Sequence, residues 1–405
     1  MMSGTSLDAI DVALVDFSRE PDRPATLCGR VLHIGERPWP GATREALRAA
    51  LPPAGSDVGT WNRLHAAVGE AFAGVAAEVL GRHGGADLIA THGQTLHHDV
   101  RPDGTVAGTL QIGDAARIAR AAGIPVLHDL RAADVAAGGQ GAPLVPLLDQ
   151  LLLGGYDAQR TAVLNIGGIS NGTLVGPAEV IAGDLGPGNA LLDAAVHAAT
   201  GRPADLDAAL ARTGTVDPDA LAILLADPFY TRPLPRSTGR EHFDGDYVRR
   251  MLGPAAAALS LPDLLATLVE LTAVTIAHEM TRLRPTRVVA SGGGMHNPLL
   301  RSRLAAHLDP VPLLPADALG IPGDGKEALL IALLGYLGAH GLPGTLRRGD
   351  GTAHTGAREP VVLGSLTPPH ALRLLSTTAA DHGPVDRLLL LPSAPTSGPF
   401  FPTAP

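Results

Sequence analysis

The chain has 405 residues, of which 45% are hydrophobic, 18% charged and only 3% aromatic, and its formal net charge is −9. That length exceeds one ordinary core and predicts two domains built from aliphatic side chains, while the acidic balance, with no basic stripe or cluster, argues against a nucleic-acid partner, whose phosphates demand Lys and Arg. Cys28 alone allows neither an internal disulfide nor a thiolate metal cluster, and no uncharged apolar run reaches the roughly 20 residues that span a bilayer, so a soluble cytoplasmic protein with no membrane partner is expected.

The chain opens on MMSGTSLDAIDVALVDF. Consecutive small residues leave backbone N–H groups able to point at one anion, with Ser and Thr hydroxyls as further donors. Asp8 and Asp11 add carboxylates that could hold Mg²⁺, directly or through water. An ordinary polar turn before a strand explains the same residues about equally well. Asp11–Phe17 and Arg30–Gly35 read as strands, and Thr43–Leu51 and Trp61–His83 as helices, the second long and amphipathic. Four times a short β-branched run then ends in glycine and small polar residues: ADLIATHGQT, IPVLHDLRAADV, TAVLNIGGISN and TRVVASGGGMHNP. Ligands collect at the carboxyl ends of strands in open α/β proteins. Helices are predicted over Leu191–Thr200, Asp205–Leu225, Ala257–Leu283, Asn297–Leu308 and Lys326–Leu337, which makes this an α/β chain with mixed sheets. From Ser365 to Pro405 the chain turns rich in Pro, Ser and Thr and reads as a poorly ordered extension, although ALRLLS and VDRLLLL could pair or pack locally.

Within this frame some residues are pointed. THGQT and DLRAADVAAGGQGAPLVP are dense in groups suited to a sugar, namely Gln94, Asp129, Arg131, Asp134 and Gln140. His92, His97 and His98 lack the spacing of a metal site. In LNIGGISN, Gly167 and Gly168 permit a tight turn, either a second phosphate loop or a plain hairpin. In AGDLGPGN, Asp184 follows a strand; it reads as a general base at a strand end or as a carboxylate capping the next helix. Gly292, Gly293 and Gly294 allow close approach of a flat ligand, and Asn297 with Pro298 reads as the start of a helix. Lys326 and Glu327 open another helix, where an acid complements the helix dipole.

Singly, each signal is weak; their order is that of a two-domain sugar kinase. The motifs MSGTSLDAID, HGQT, TLQIGD, DLRAADVAAGGQGAPLVP, LNIGGISN, DLGPGN, RPLPRSTGREHF, SGGGMHNP and GKEAL run from Ser3 to about Gly364. On these motifs the chain resembles the anhydro-N-acetylmuramic acid kinases of the actin-like ATPase superfamily. The resemblance implies a two-domain, ribonuclease H-like sugar-kinase fold with ATP in an interdomain cleft. Residues 1–128 with about 345–364 would form the N-terminal domain, 129–344 the C-terminal domain, and 365–405 the extension. It implies ATP-dependent hydrolytic opening of the 1,6-anhydro ring of 1,6-anhydro-N-acetylmuramic acid with phosphorylation of O6, in recycling of cell-wall murein. Its partners would be that sugar, ATP, Mg²⁺, water and a second copy in a homodimer.

Carried over residue by residue, Asp184 matches the catalytic base that activates water. Gln94, Arg131, Gly186, Asn189 and Glu327 are expected at the sugar. Gly4, Thr5, Ser6, Leu7, Asp8, Ala9, Ile10 and Asp11 match the ATP-phosphate loop, with Asp8 and Asp11 toward Mg²⁺. Asn165, Gly167, Gly168, Gly292, Gly293, Gly294 and Asn297 complete the nucleotide set. In the family a hydrophobic strand precedes the phosphate loop and pairs with Asp11–Phe17; most of it is missing here, and a start codon placed too late is the expectation. Ala9 stands where glycine is usual, Leu185 where threonine is, and Arg236 where lysine is. Another ATP-dependent amino-sugar kinase, or a catalytically impaired sugar- or nucleotide-binding homologue, remain the alternatives.

Overall fold

The computed structural model describes the chain apart from residues 5–6, 8, 52–55, 102, 154–159, 176–179, 235, 237, 239–241, 317–324, 371–383 and 392–405. In chain order the strands and helices are β1 (Ala9–Glu20), β2 (Arg23–Pro38), α1 (Gly41–Ala50), α2 (Val58–His83), β3 (Ile89–Ala90), β4 (Gln94–Val100), β5 (Val106–Ile112), α3 (Ala115–Ala122), β6 (Val126–His128), α4 (Ala132–Ala136) and α5 (Val145–Leu153). They continue with β7 (Thr161–Ile166), β8 (Ile169–Val175), β9 (Val180–Pro187), α6 (Ala190–Thr200), α7 (Pro218–Leu225), α8 (Tyr247–Leu252), α9 (Leu261–Arg282), β10 (Arg287–Ser291), α10 (Pro298–Leu308), β11 (Leu313–Pro315), α11 (Lys326–Ala339), β12 (Ser365–Thr367) and β13 (Arg387–Leu391).

The chain forms two compact units, one of Met1–Leu144, Gly325–Thr345 and Thr355–Pro405, the other of Val145–Asp324 and Leu346–His354. The sequence-based boundary at 128/129 is displaced because α4 packs beside β5, and α11 beside β1, β3 and β6, all strands of the first unit.

In the first unit, β1 and β2 pair antiparallel from Ala9 opposite Pro38 to Glu20 opposite Arg23, a longer hairpin than the alternation at Asp11–Phe17 and Arg30–Gly35 predicts. From the tail, β13 joins β2 in parallel, with Leu388 opposite Leu27, and β12 pairs antiparallel with β6. These parts of the expected extension are therefore strands: RLLLL supplies the apolar run that an open sheet edge accepts. Met1–Ser3 pairs antiparallel at Asp11 with β1 of one three-stranded sheet and parallel at Gln94 with β4 of the two-stranded sheet, while the Met1 nitrogen donates to the Ala90 carbonyl of β3 at 2.8 Å. Thus a short stretch lies where the family pattern has a strand beside Asp11. The core beneath holds Ile10, Val12, Leu47, Phe72, Ile118 and Val126. Its long helix α2 starts where Asp57 accepts the Thr60 N–H and stops at left-handed Gly84.

In the second unit the strand order is β11-β10-β7-β8-β9, parallel across β11, β10 and β7 and antiparallel from β7 to β9. Leu164, Ile166 and Leu174 face a core shared with α9 and α10, through Leu268, Ile276, Met280 and Leu300. The expected helix over Asp205–Leu225 is broken: only Pro218–Leu225 is α-helical, started by Asp217, which caps Ala220. Proline can begin a helix but cannot continue one, so Pro218 sets the start. Both α2 and α9 are long and apolar enough to cross a membrane, and each contributes buried apolar residues to its own unit's core.

Candidate active site

In the first unit the HGQT turn leaves β3 and enters β4. Gly93 has φ +70°, and a Cβ there would run into the Ile112 carbonyl, so the turn needs glycine. The turn drives His92 and Gln94 inward, to 7% and 0% exposure. Burial, reinforced by the charge of Arg131, lowers the His92 pKa to about 3, so the ring is neutral. Its Nδ1 faces the Gly93 carbonyl at 3.4 Å, which leaves Nε2 as the acceptor. That Nε2, Gln94 Oε1, Gln111 Oε1 and Arg131 Nε are sealed from solvent with no hydrogen-bond partner among the described residues. Each such atom costs about 1–3 kcal/mol if left unpaired, and several around one turn call for a further polar partner, water or ligand.

Arg131 precedes α4; burial lowers its guanidinium to about 10, and Glu327 pulls it back up. Glu327 itself is exposed, in the first turn of α11. A cavity of about 220 Å³ opens at the ends of β3 and β6, lined among others by His65, His92, Gln111, His128 and Asp129. Asp129 has φ +57°, the left-handed region that residues with a Cβ rarely enter. Asp134 turns out to be structural. It is 0% exposed, and its oxygens accept the Gly141 N–H at 2.7 Å and the Thr355 hydroxyl at 2.6 Å, which shapes the GGQGAP loop. Gln140 donates to the Gly104 carbonyl at 3.2 Å.

Of the expected phosphate loop, Thr5, Ser6 and Asp8 lie outside the described residues. Leu7 carries the backbone strain, at φ +54°, and its carbonyl accepts Arg44 Nε at 2.7 Å. Its amide reaches back to the Gly4 carbonyl at 3.3 Å. Ala9 is a regular β1 residue opposite Pro38, so the place where glycine is usual demands no positive φ here. Ile10 is fully buried and has only its backbone to offer a ligand. Asp11 exchanges backbone hydrogen bonds with Met2, at 2.9 and 2.8 Å.

In the second unit Gly167 and Gly168 join β7 to β8, and the ladder closes with Ile166 opposite Ser170, so Asn165 lies opposite Asn171. Asn171 in turn lies opposite Asp184 on β9. Residues directly opposite in a ladder share a face, so Asn165, Asn171 and Asp184 form one polar row while their neighbours Leu164 and Leu174 turn to the core. Just past Asp184 the register shifts, with Ser170 opposite Gly186. Leu185 is the extra residue, a bulge of the kind that re-aims a side chain. Its own side chain is fully buried, so the position where threonine is usual faces the core. Asp184 is half-buried and accepts the Thr238 N–H on Oδ2 at 2.8 Å. It does not cap the next helix: the N-cap of α6 is Asn189, with no side-chain cap.

The amides of Gly188, Asn189 and Ala190 donate to the Gly168, Gly167 and Gly168 carbonyls at 2.9, 2.8 and 3.1 Å, which packs the β7–β8 loop on the start of α6. Gly186 accepts the Ser170 hydroxyl at 3.0 Å. Gly292, at φ +89°, lies against Asn165 Oδ1 and the Ile166 carbonyl, where a Cβ would clash. Gly294 packs on Ile166, and Gly293 lies beside the Asn189 side chain. Asn165, Gly167, Gly168, Asn189 and Gly292 to Gly294 are thereby gathered at the carboxyl ends of β7 and β10. Asn297 is the N-cap of α10, its Oδ1 accepting the Leu300 N–H at 3.0 Å, so that oxygen is already used. Sequence reasoning missed Asn171 and Thr238. Asn171 was legible in principle, because folding LNIGGISN about its glycines sets its two asparagines opposite each other.

Residues 1–369 match the model of one protein family, described as Anhydro-N-acetylmuramic acid kinase. The chain belongs to this family. A relative named anhydro-N-acetylmuramic acid kinase from Streptomyces coelicolor (strain ATCC BAA-471 / A3(2) / M145) is 48% identical over 374 residues, covering 91% of this chain and 93% of the relative. One of the same name from Rhodococcus erythropolis (strain PR4 / NBRC 100887) is 47% identical over 382 residues, covering 91% and 93%. A third, from Gloeobacter violaceus (strain ATCC 29082 / PCC 7421), is 41% identical over 381 residues, covering 91% and 97%.

Proposed function

We propose that this chain is the ATP-dependent kinase its family is named for: it opens the 1,6-anhydro ring of 1,6-anhydro-N-acetylmuramic acid with water and phosphorylates O6, yielding N-acetylmuramate 6-phosphate and ADP. Family membership supports the reaction; the observation that carries the residue roles is Asp184, half-buried at the bulge of β9 with its carboxylate held by the Thr238 N–H. Asp184 takes a proton from water as the oxygen attacks the anomeric carbon. The bond from that carbon to O6 breaks, and O6 takes the γ-phosphoryl group of ATP while ADP leaves. Phosphoryl transfer needs mostly positioning and charge neutralisation.

The cluster of unpaired polar atoms at His92, Gln94, Gln111 and Arg131 supports a sugar surface in the first unit, since hydroxyls both donate and accept. Glycines 292 to 294 with Asn165 and Asn189 support a nucleotide surface in the second. Mg²⁺ keeps most of its waters and binds protein through one or two carboxylates plus substrate phosphates, and Asp11 with Asp8 is a donor set of that kind. When bound, Mg²⁺ neutralises charge on the phosphates. We place the protein in the cytoplasm, where ATP is supplied, as a homodimer, a state that sedimentation checks. The deciding experiment is Asp184→Asn, assayed by ADP release on adding the anhydro sugar. Turnover is expected to vanish while ATP still binds; a variant at wild-type rate removes Asp184 from the reaction.

A further inference from the structure

Beside Asp184 stands a side chain that the reaction as written does not use. Arg236 is 8% exposed, and its backbone carbonyl accepts the Asp184 N–H at 2.8 Å. Its guanidinium donates from Nε to the Asp184 carbonyl at 3.0 Å and from Nη2 to the Leu185 carbonyl at 3.2 Å. These two residues form the bulge, and β9 is the outer strand of its sheet. One arginine therefore stands in for a further strand at the place where the ladder is interrupted.

The rest of the fork is also engaged. Nη1 donates to the Arg232 carbonyl at 2.5 Å and the Tyr230 carbonyl at 3.3 Å, and lies 3.1 Å from Glu279 Oε1. The guanidinium carbon sits 4.5 Å from the centre of the Phe229 ring. Glu279, on α9, is 2% exposed, and its other oxygen lies 3.1 Å from Arg282. With the Thr238 N–H on the carboxylate, Arg236 and Thr238 together hold Asp184 at its amide, its carbonyl and its side chain.

We propose that Arg236, neutralised by Glu279, is a positioning residue for the reaction: it fixes the bulge at Leu185 and so aims the Asp184 carboxylate. The inference rests on the reading of Asp184 as the base. Its physical content is that a planar fork with five donors reaches four carbonyls and a carboxylate at once, more acceptors than the three N–H groups of an ammonium can serve. A base displaced by about 1 Å loses on the order of 100-fold in rate.

The test compares R236M, R236K, the pair variant R236M/E279M and D184N for melting temperature, kcat and both KM values. In the pair variant two apolar side chains replace a buried ion pair, an exchange that is often neutral for stability. R236M/E279M is expected to regain the share of the melting temperature that an unpaired Glu279 costs R236M, yet to keep kcat about 30-fold or more below wild type, with both KM values within about threefold. R236K is expected to fall between, at least about threefold down in kcat. A purely structural role predicts that kcat returns with the melting temperature, so a folded pair variant with wild-type kcat overturns the proposal. If the pair variant does not fold, R236K decides: reduced kcat at wild-type KM supports the proposal, and wild-type kcat overturns it. D184N separates the two readings. Wild-type turnover in D184N overturns the role of Asp184 and this inference with it, whereas an inactive D184N beside fully active Arg236 variants overturns this inference alone.

Discussion

Two arginines, one in each unit, show what burial can be used for. Arg236 has a carboxylate, four carbonyls and an aromatic face around it. Arg131 has a nearby acid, Glu327, but its Nε is sealed without a hydrogen-bond partner among the described residues. The first has every guanidinium nitrogen engaged and holds backbone in place. The second is an unfinished interaction, and the same holds for His92 Nε2, Gln94 Oε1 and Gln111 Oε1 around it. A fold tolerates such atoms where a ligand supplies the missing partners, at the cost of stability in the free protein. On the proposed function, rate belongs to the neighbourhood of Arg236 and affinity to that of Arg131.

The sharpest way to break this comparison is Arg131→Met. Losing a charge-assisted hydrogen bond to substrate costs about 1.5–3 kcal/mol, so kcat/KM for the anhydro sugar should fall roughly 10- to 150-fold, carried by KM. ATP binding should hold, and the melting temperature should stay level or rise, because a desolvated, unpaired donor is removed. Arg236→Met should instead lower the melting temperature, since it breaks a buried pair, at a cost of about 3–5 kcal/mol, and leaves Glu279 with Arg282 alone. If Arg131→Met destabilises the protein as much as Arg236→Met does, the two arginines have the same role and the distinction fails.

A smaller effect is expected at Asn171, between Asn165 and Asp184 in the polar row. Asn171→Ala removes one amide from that row without touching the core, and about a tenfold fall in kcat, or ~1.4 kcal/mol of barrier, is the expected result. An unchanged kcat would show that the row is a consequence of register only.

How far the sequence carries depends on the range of the interaction. The strand-then-glycine motifs, the Asn297–Pro298 helix start and the long α2 were all legible, because each is decided within a few residues by periodicity, capping or sterics. The broken helix around Gly214 and Pro218 was legible too, had the proline been given its weight. Asp134 misled: an aspartate in a polar loop reads as a ligand group, and only the distant Thr355 shows that its oxygens are spent. The bulge at Leu185 and the Arg236–Glu279 pair could not be read at all. They depend on register between strands and on a helix that arrives later in the chain, and no local pattern encodes either.

The least of the expected effects concerns pH and tests whether the His92 site is as dry as its unpaired Nε2 indicates. Burial holds the folded His92 pKa at about 3, against 6.5 for the free side chain. Above the free value neither state of the chain carries the proton, and His92 contributes nothing to the pH dependence. Below it the unfolded chain binds a proton that the folded one refuses, so stability must fall as the pH drops from 6.5 toward 3. One such group gives a slope of at most about 1.4 kcal/mol per pH unit. His92→Gln removes the titrating ring while retaining a polar side chain. Urea midpoints at pH 7, 6 and 5 should therefore decline less steeply in the variant, the other groups cancelling in the difference. Parallel slopes would mean that water reaches the imidazole and stabilises its charged form, in which case the HGQT turn is a wet surface and the unpaired atoms around it are already satisfied without a sugar.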